Sequence, residues 1–214
     1  QVTVVVAVAA MVLAAVLGMV GAWAKLSASA PARRSAEVYT TTIRGIPELI
    51  LLLLIYYGVP TLIQDVLARF GHDVTIDLNP YSAGILTIGF IYGAFATEVF
   101  RGAFLAVPKG QIEAARAAGM GRALLFRRVL VPQMWRFALP GLGNVWMVLL
   151  KATALMSIIQ VDELMRNARI AAGATHLPFT FYFAASLVYL GLTVVSMVLQ
   201  GRAESWANRG VRRA

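Results

Sequence analysis

Long runs without a charge constrain this chain more than any other feature. Val2–Ala24 contains no charged residue; Leu49–Gln64, Leu78–Thr97, Phe137–Val161 and Leu177–Gly201 follow, interrupted only by Lys151. A helix needs about 20 apolar residues to cross a bilayer. The second run extends backwards across Ile43 to Pro47, and the set predicts spans near 2–24, 40–60, 80–102, 134–157 and 178–202. Composition agrees: 59% of the 214 residues are hydrophobic, mean hydropathy is +0.74, and 14% are charged, against about 25% in an ordinary soluble domain. The expected fold is an all-α membrane protein of five spanning helices in one domain, 1–214. Gln1 opens directly into an apolar run, so the N-terminus is expected to be incomplete. That run is too long for a signal-peptide core and has no basic segment before it.

The basic residues are unevenly placed. Lys25, Arg33 and Arg34 follow the first run; Arg101, Lys109, Arg116, Arg122, Arg127, Arg128 and Arg136 lie between the third and fourth; Arg202, Arg209, Arg212 and Arg213 end the chain. The other connections hold Arg69, Arg166 and Arg169 with Asp65, Asp73, Asp77, Asp162 and Glu163. The positive-inside rule then puts the loops at 25–38 and 103–133 and the C-terminus in the cytoplasm, with the N-terminus outside. A net charge of +9 reads as topology and an acidic partner, not nucleic acid, because it is spread between apolar blocks. The chain has no cysteine, which excludes disulfides, thiolate zinc sites and cysteine nucleophiles. His72 and His176 stand alone and make no metal site. A short helix near 62–70 is expected in the outer loop.

The loop at 103–133 carries the most information. Pro108 suits a first helical turn, Glu113 lies in the early turns, alanines at 114, 115, 117 and 118 favour helix, and Gly119 permits a left-handed turn. A second helical stretch, Arg122 to Leu130, precedes Pro132. These features predict a helix-turn-helix at the membrane surface whose small residues admit another protein; on periodicity alone, an interfacial anchoring helix fits equally well.

Glu113-Ala114-Ala115 with Gly119 four residues on, in the basic loop between the third and fourth of five spans, resembles the EAA motif of permeases in ATP-binding-cassette importers. Arg44-Gly45-Ile46-Pro47-Glu48, Glu98 with Arg101-Gly102, and Lys151-Ala152-Thr153-Ala154-Leu155 followed by Glu163-Leu164 resemble the polar amino-acid branch, closest to the permeases for histidine, lysine, arginine, ornithine and opines. The resemblance implies the type I importer permease fold with a cytoplasmic coupling helix. It assigns Glu113, Ala114, Ala115 and Gly119, with Arg116 among them, to contact with an ATPase. Arg116 and Arg127-Arg128 are basic where relatives vary. It further implies a bacterial inner membrane location, nucleotide-binding ATPase subunits, a second, homologous permease, a periplasmic solute-binding protein and an amino-acid substrate. ATP and magnesium belong to the ATPase: no lysine here sits in the G-x-x-x-x-G-K-[ST] pattern that cradles phosphates, and the chain itself is expected to bind no cofactor.

Ionisable groups at membrane depth are functional candidates because each costs about 2.5–3.5 kcal/mol to insert. Arg44 and Glu48, four apart, and Glu98 and Arg101, three apart, are expected to pair on one helix face, as snorkelling local pairs or as a gate or interhelical network. Lys151 is expected to face the subunit interior and pair with a carboxylate; structural pairing and pathway lining both remain open. Asp162 and Glu163 read either as a solvated loop pair or as groups receiving a cationic substrate. Tyr92, Thr97, Thr153 and Ser157 offer neutral hydrogen bonds to a pathway, or to helix packing. Gly84, Gly89 and Gly93 suggest close helix contact in the third span.

Two other classes compete. An intramembrane enzyme lacks its site: there is no H-E-x-x-H, no G-x-S-x-G and no cysteine. A homo-oligomeric channel or ATP-independent carrier stays open, though five spans give no inverted repeat.

Overall fold

Small residues decide where the helices of this chain meet. In the computed structural model, which describes residues 1–72 and 74–209, the first helix, α1 (Val2–Leu26), buries Ala7, Ala10, Ala14, Gly18, Gly21 and Ala22. Spaced three or four apart, they form one face, which lies along α4 (Pro80–Leu105). A Cβ on Gly18 would sit 2.5 Å from the Ala96 Cβ, one on Gly89 2.6 Å from Leu13, and one on Gly93 2.9 Å from Leu17; one on Gly21 would strike Thr97. Lipid gives apolar helices no reason to associate by hydrophobicity, so close van der Waals packing between small residues holds them. Leu13 meets Gly89, Leu17 meets Gly93 and Lys25 meets Glu98, so α1 and α4 run in the same direction. The reverse face of α1 is a ridge of exposed Val8, Val12, Val16 and Val20.

Among the described residues, five helices are long and apolar enough to cross a membrane: α1, α3 (Glu48–Arg69), α4, α6 (Arg122–Ser157) and α8 (Pro178–Ala207). Around them lie α2 (Ala30–Gly45), α5 (Lys109–Ala117) and α7 (Leu164–Thr175). No strand occurs among the described residues. One core, with Ile88, Ile91, Leu149, Leu150 and Met156, joins α1, α4 and α6. A second, with Phe100, Ala103, Met134 and Ala138, closes the end carrying the basic loop. Asp73, Arg212 and Arg213, which enter the charge count, lie outside the described residues.

The second span differs from its expected place at 40–60. Ile46 and Pro47 are extended, with ψ of 137° and 135°, because proline bars the residue before it from helical geometry. The segment is therefore two helices, α2 and α3, and the short helix expected near 62–70 is the continuing end of α3. The basic loop expected at 25–38 shrinks to a turn of a few residues before α2.

The stretch Arg122–Leu130 is not a separate surface helix either. It runs unbroken into the fourth span as α6, with one widened turn at Phe126–Leu130. The same widening occurs at Leu54–Gly58 in α3. Each ends two residues before a proline, Pro132 or Pro60. Proline donates no hydrogen bond and its ring presses on the carbonyl four residues back, and an i→i+5 turn relieves both.

Candidate coupling helix and translocation face

α5 leaves the end of α4 after a three-residue turn and presents one side to solvent. Glu113, Ala114 and Arg116 are exposed, while Ala115 is buried against the subunit at 6% exposure. Pro108 stands just before the helix, and Glu113 lies in its second turn, beyond the strongest reach of the helix dipole. The helix is closed by two bonds: the Met120 N–H donates to the Ala115 carbonyl at 3.0 Å and the Gly119 N–H to that of Arg116 at 2.9 Å. This closure needs a left-handed residue, supplied by Gly119 at φ +78°. Four of the five residues expected to meet an ATPase are thus accessible together. The fifth, Ala115, fastens the helix from behind.

Directly before this helix the Glu98 carboxylate gathers two cations. Lys25 Nζ from α1 donates at 2.5 Å, and Arg101 binds at 2.9 Å from one turn on. The expected Glu98–Arg101 pair is present; Lys25, 73 residues away, is the partner that helical spacing does not reveal. This node ties α1 to the end of α4 from which α5 hangs.

The other expected pair does not form. The break at Ile46-Pro47 puts Arg44 and Glu48 on different helices. The Arg44 guanidinium lies 5.4 Å over the Phe95 ring, and Glu48 accepts a hydrogen bond of 2.9 Å from the Tyr92 hydroxyl. Tyr92 and Phe95 occupy the middle of α4, so the break sits halfway across the span. Tyr39 of α2 reaches the same level, donating to the Phe90 carbonyl at 2.5 Å. α2 and α3 thus meet level with the middle of α4, and helix breaks at such depth are a recurrent way of presenting ion and substrate ligands.

Lys151 corrects its expectation. Its side chain is exposed, and no carboxylate among the described residues lies within ion-pair distance of it. The helix turns that carry it place Leu149, Leu150 and Ala152 in the core, so Lys151 points away from the subunit. It stands six residues, about 9 Å, before the end of α6.

Most of the other pathway candidates are engaged inside the subunit. Thr97 is fully buried under Gly21 and donates to the Gly93 carbonyl at 2.8 Å. Thr153 is fully buried, donates to the Leu150 carbonyl at 2.7 Å and approaches Tyr189. The Ser157 carbonyl accepts from Arg169, and Tyr92 is 2% exposed. Glu163 is neither solvated nor open: at 1% exposure it caps α7, accepting from the Met165 and Arg166 amides at 2.8 and 2.7 Å and from the Tyr189 hydroxyl at 3.1 Å. Burial raises its carboxyl pKa, against the opposing pull of those donors. Asp162 alone of the pair is exposed, 3.1 Å from Arg166. Of the pathway candidates, Lys151 and Asp162 reach the surface. Trp23 and Trp206 are exposed at span ends, whereas Trp146 donates to Ser196 between α6 and α8.

Comparison with known proteins places this geometry. Residues 3–209 match the family described as binding-protein-dependent transport system inner membrane component. The chain is 47% identical over 213 residues to the histidine/lysine/arginine/ornithine transport system permease protein HisQ of Salmonella typhimurium, covering 100% of this chain and 93% of that one. It is 46% identical over 198 residues to the octopine transport system permease protein OccQ of Rhizobium radiobacter, covering 92% and 84%. Among solved structures, an amino acid ABC transporter crystallised with histidines is similar at a TM-score of 0.80 and 32% identity, over 95% of this chain and 89% of that one. The inward-facing MetNI methionine transporter shares the fold at a TM-score of 0.70 and 18% identity, over 97% and 92%.

Proposed function

Because the chain belongs to the family of binding-protein-dependent transport system inner membrane components, we propose that it moves basic and polar amino acids inward across the inner membrane. Arginine, histidine, lysine, ornithine and opines are the class, and a separate ATPase docked on α5 drives the movement. The observation that carries this reading is the accessible face of Glu113, Ala114, Arg116 and Gly119 on a helix fastened by Ala115. ATP and magnesium sit on the ATPase. A solute-binding protein delivers substrate at the end carrying Asp77, Asp162 and α7, so the N-terminus is periplasmic and the C-terminus cytoplasmic. A second, homologous permease completes the path. Alternating access follows from rigid-body movement of the helices when α5 is displaced.

The translocation face includes Lys151. An unpaired ammonium within a span is costly against lipid and is found facing a wet cavity or a partner. There it attracts the carboxylate common to every amino acid. Arg44 and Glu48 flank the broken helix on the same route, and Asp162 stands at its outer mouth, where its charge favours cations.

Proteoliposomes holding this subunit, its partner permease and the ATPase test the proposal, with and without binding protein loaded with arginine or histidine. Loaded protein raises ATP hydrolysis, and Glu113→Lys removes that rise tenfold or more. Lys151→Met lowers substrate uptake while leaving assembly intact. Hydrolysis indifferent to loaded binding protein and to Glu113→Lys would sink the importer reading, and ion flux would then be measured.

A further inference from the structure

Between the end of α1, the end of α4 and the start of α6 lies a groove of about 680 Å³, bordered by Met19, Trp23, Leu26, Phe104, Phe126 and Leu130. Its volume falls in the range that holds a drug-sized apolar ligand. Among the described residues, Arg122 is its one charged lining residue, and no carboxylate lies within ion-pair distance of that guanidinium. The groove is apart from the exposed face of α5 and from Lys151.

We propose that this groove binds one anionic phospholipid, its phosphate on Arg122 and an acyl chain along the apolar wall. Three observations fit that occupant together. The groove lies at the end of the spans where the basic loop gathers, which is the headgroup level of one leaflet. Trp23, 76% exposed, lines the groove at the end of α1, the span-end position at which interfacial tryptophans collect. It also ends the exposed ridge of Val8, Val12, Val16 and Val20, so the groove opens onto a continuous apolar track along α1 that a straight chain can follow. Arg122 supplies the charge complement, and exposed Arg127 and Arg128 follow on the same helix. The site abuts the start of α6, the helix that follows the coupling loop, so the lipid bridges α1 to the moving part. A soluble anion would have no use for the apolar wall, and an apolar protein segment none for the unpaired arginine.

The test uses the assembled importer in nanodiscs of phosphatidylcholine doped with chain-brominated phosphatidylglycerol or, separately, chain-brominated phosphatidylcholine. Quenching specific to Trp23 is taken as the difference between the native importer and Trp23→Phe. One cation near an anionic surface is worth about a fivefold preference, so the brominated anionic lipid is expected to reach half-maximal Trp23 quenching at about one fifth of the doping. Arg122→Gln abolishes the preference and Arg122→Lys restores most of it. Equal quenching by both lipids means ordinary boundary lipid and overturns the proposal. Absence of quenching by either means protein covers the groove, the second permease or the ATPase, and overturns it as well. ATP hydrolysis stimulated by loaded binding protein is followed in the same nanodiscs, so failure of the lipid site is distinguishable from failure of the importer reading.

Discussion

Glu98 holds two cations that have no other carboxylate within ion-pair distance among the described residues. Lys25 is 13% exposed there, so removing the carboxylate leaves a largely desolvated ammonium uncompensated. Glu98→Ala is expected to destabilise the assembled importer by about 1–3 kcal/mol, read as an earlier midpoint in thermal unfolding followed by intrinsic fluorescence. Glu163 and Asp162 are neighbours with opposite fates. Glu163→Ala removes a helix cap worth about 0.5–2 kcal/mol and takes from the Tyr189 hydroxyl its carboxylate acceptor, leaving it Thr153 alone. Asp162→Ala breaks only a pair whose carboxylate is solvent-exposed, worth a few tenths of a kcal/mol in such settings. Equal losses of stability from both would contradict the capping assignment. Spacing along the chain makes the Glu98–Arg101 pair legible, because three residues bring two side chains to one helix face. Lys25 and Tyr189 are invisible to that reasoning, since long-range partners are chosen by which helices pack.

At the scale of elements, prolines set the irregularities. Pro47 splits the second span, and Pro60 and Pro132 each follow a widened turn. Replacing Gly45 and Pro47 together by alanine removes the two strongest obstacles to a continuous helix. A continuous helix would withdraw Glu48 from Tyr92 and Arg44 from Phe95. Uptake of radiolabelled arginine is expected to fall tenfold or more, with the subunit still assembled as judged by size-exclusion chromatography; unchanged uptake would mean that the mid-span break is dispensable. Contact between α1 and α4 is equally specific. Gly21→Leu drives a side chain into Thr97 and is expected to cost about 1–3 kcal/mol, measured as lost yield of monodisperse complex, while Gly102→Leu, with nothing within 4 Å of its added Cβ, is expected to be tolerated. A run of apolar residues tells how long a helix can be, and it is indifferent to where a proline interrupts a span already long enough. That is why α2 and α3 differ from the sequence reading while α1, α4 and α8 agree with it to within a few residues.

Across the whole molecule, the five spans alternate in direction, so the ends near Lys25, Arg101 and Arg202 share one side and those near His72 and His176 the other. The chain has no cysteine, so a single introduced thiol reports its own location. Ser29→Cys and Gly110→Cys are expected to react with a membrane-impermeant maleimide only from the cytoplasmic side, and Gly71→Cys only from the periplasmic side, in cells and inverted vesicles. The reverse pattern would invert the proposed orientation and with it the direction of transport. Helix α8 buries little of its surface in this subunit and α3 only somewhat more, so most of their apolar surface faces away from the rest of the subunit.

The sequence by itself determined the number of spans, their membrane setting, the asymmetry of charge and the short helix of the basic loop. Each of these depends on residues near one another in the chain: apolar runs of bilayer length, clustered arginines, and Glu113-Ala114-Ala115 before Gly119. Only the tertiary structure decided that Lys151 points outward with no carboxylate partner among the described residues, that Glu163 is a buried cap, and that α2 and α3 break level with the middle of α4. Those outcomes turn on which face of each helix finds a neighbour. Small residues on α1 and α4 draw those two helices together, and the charges on every other helix take their places around that contact.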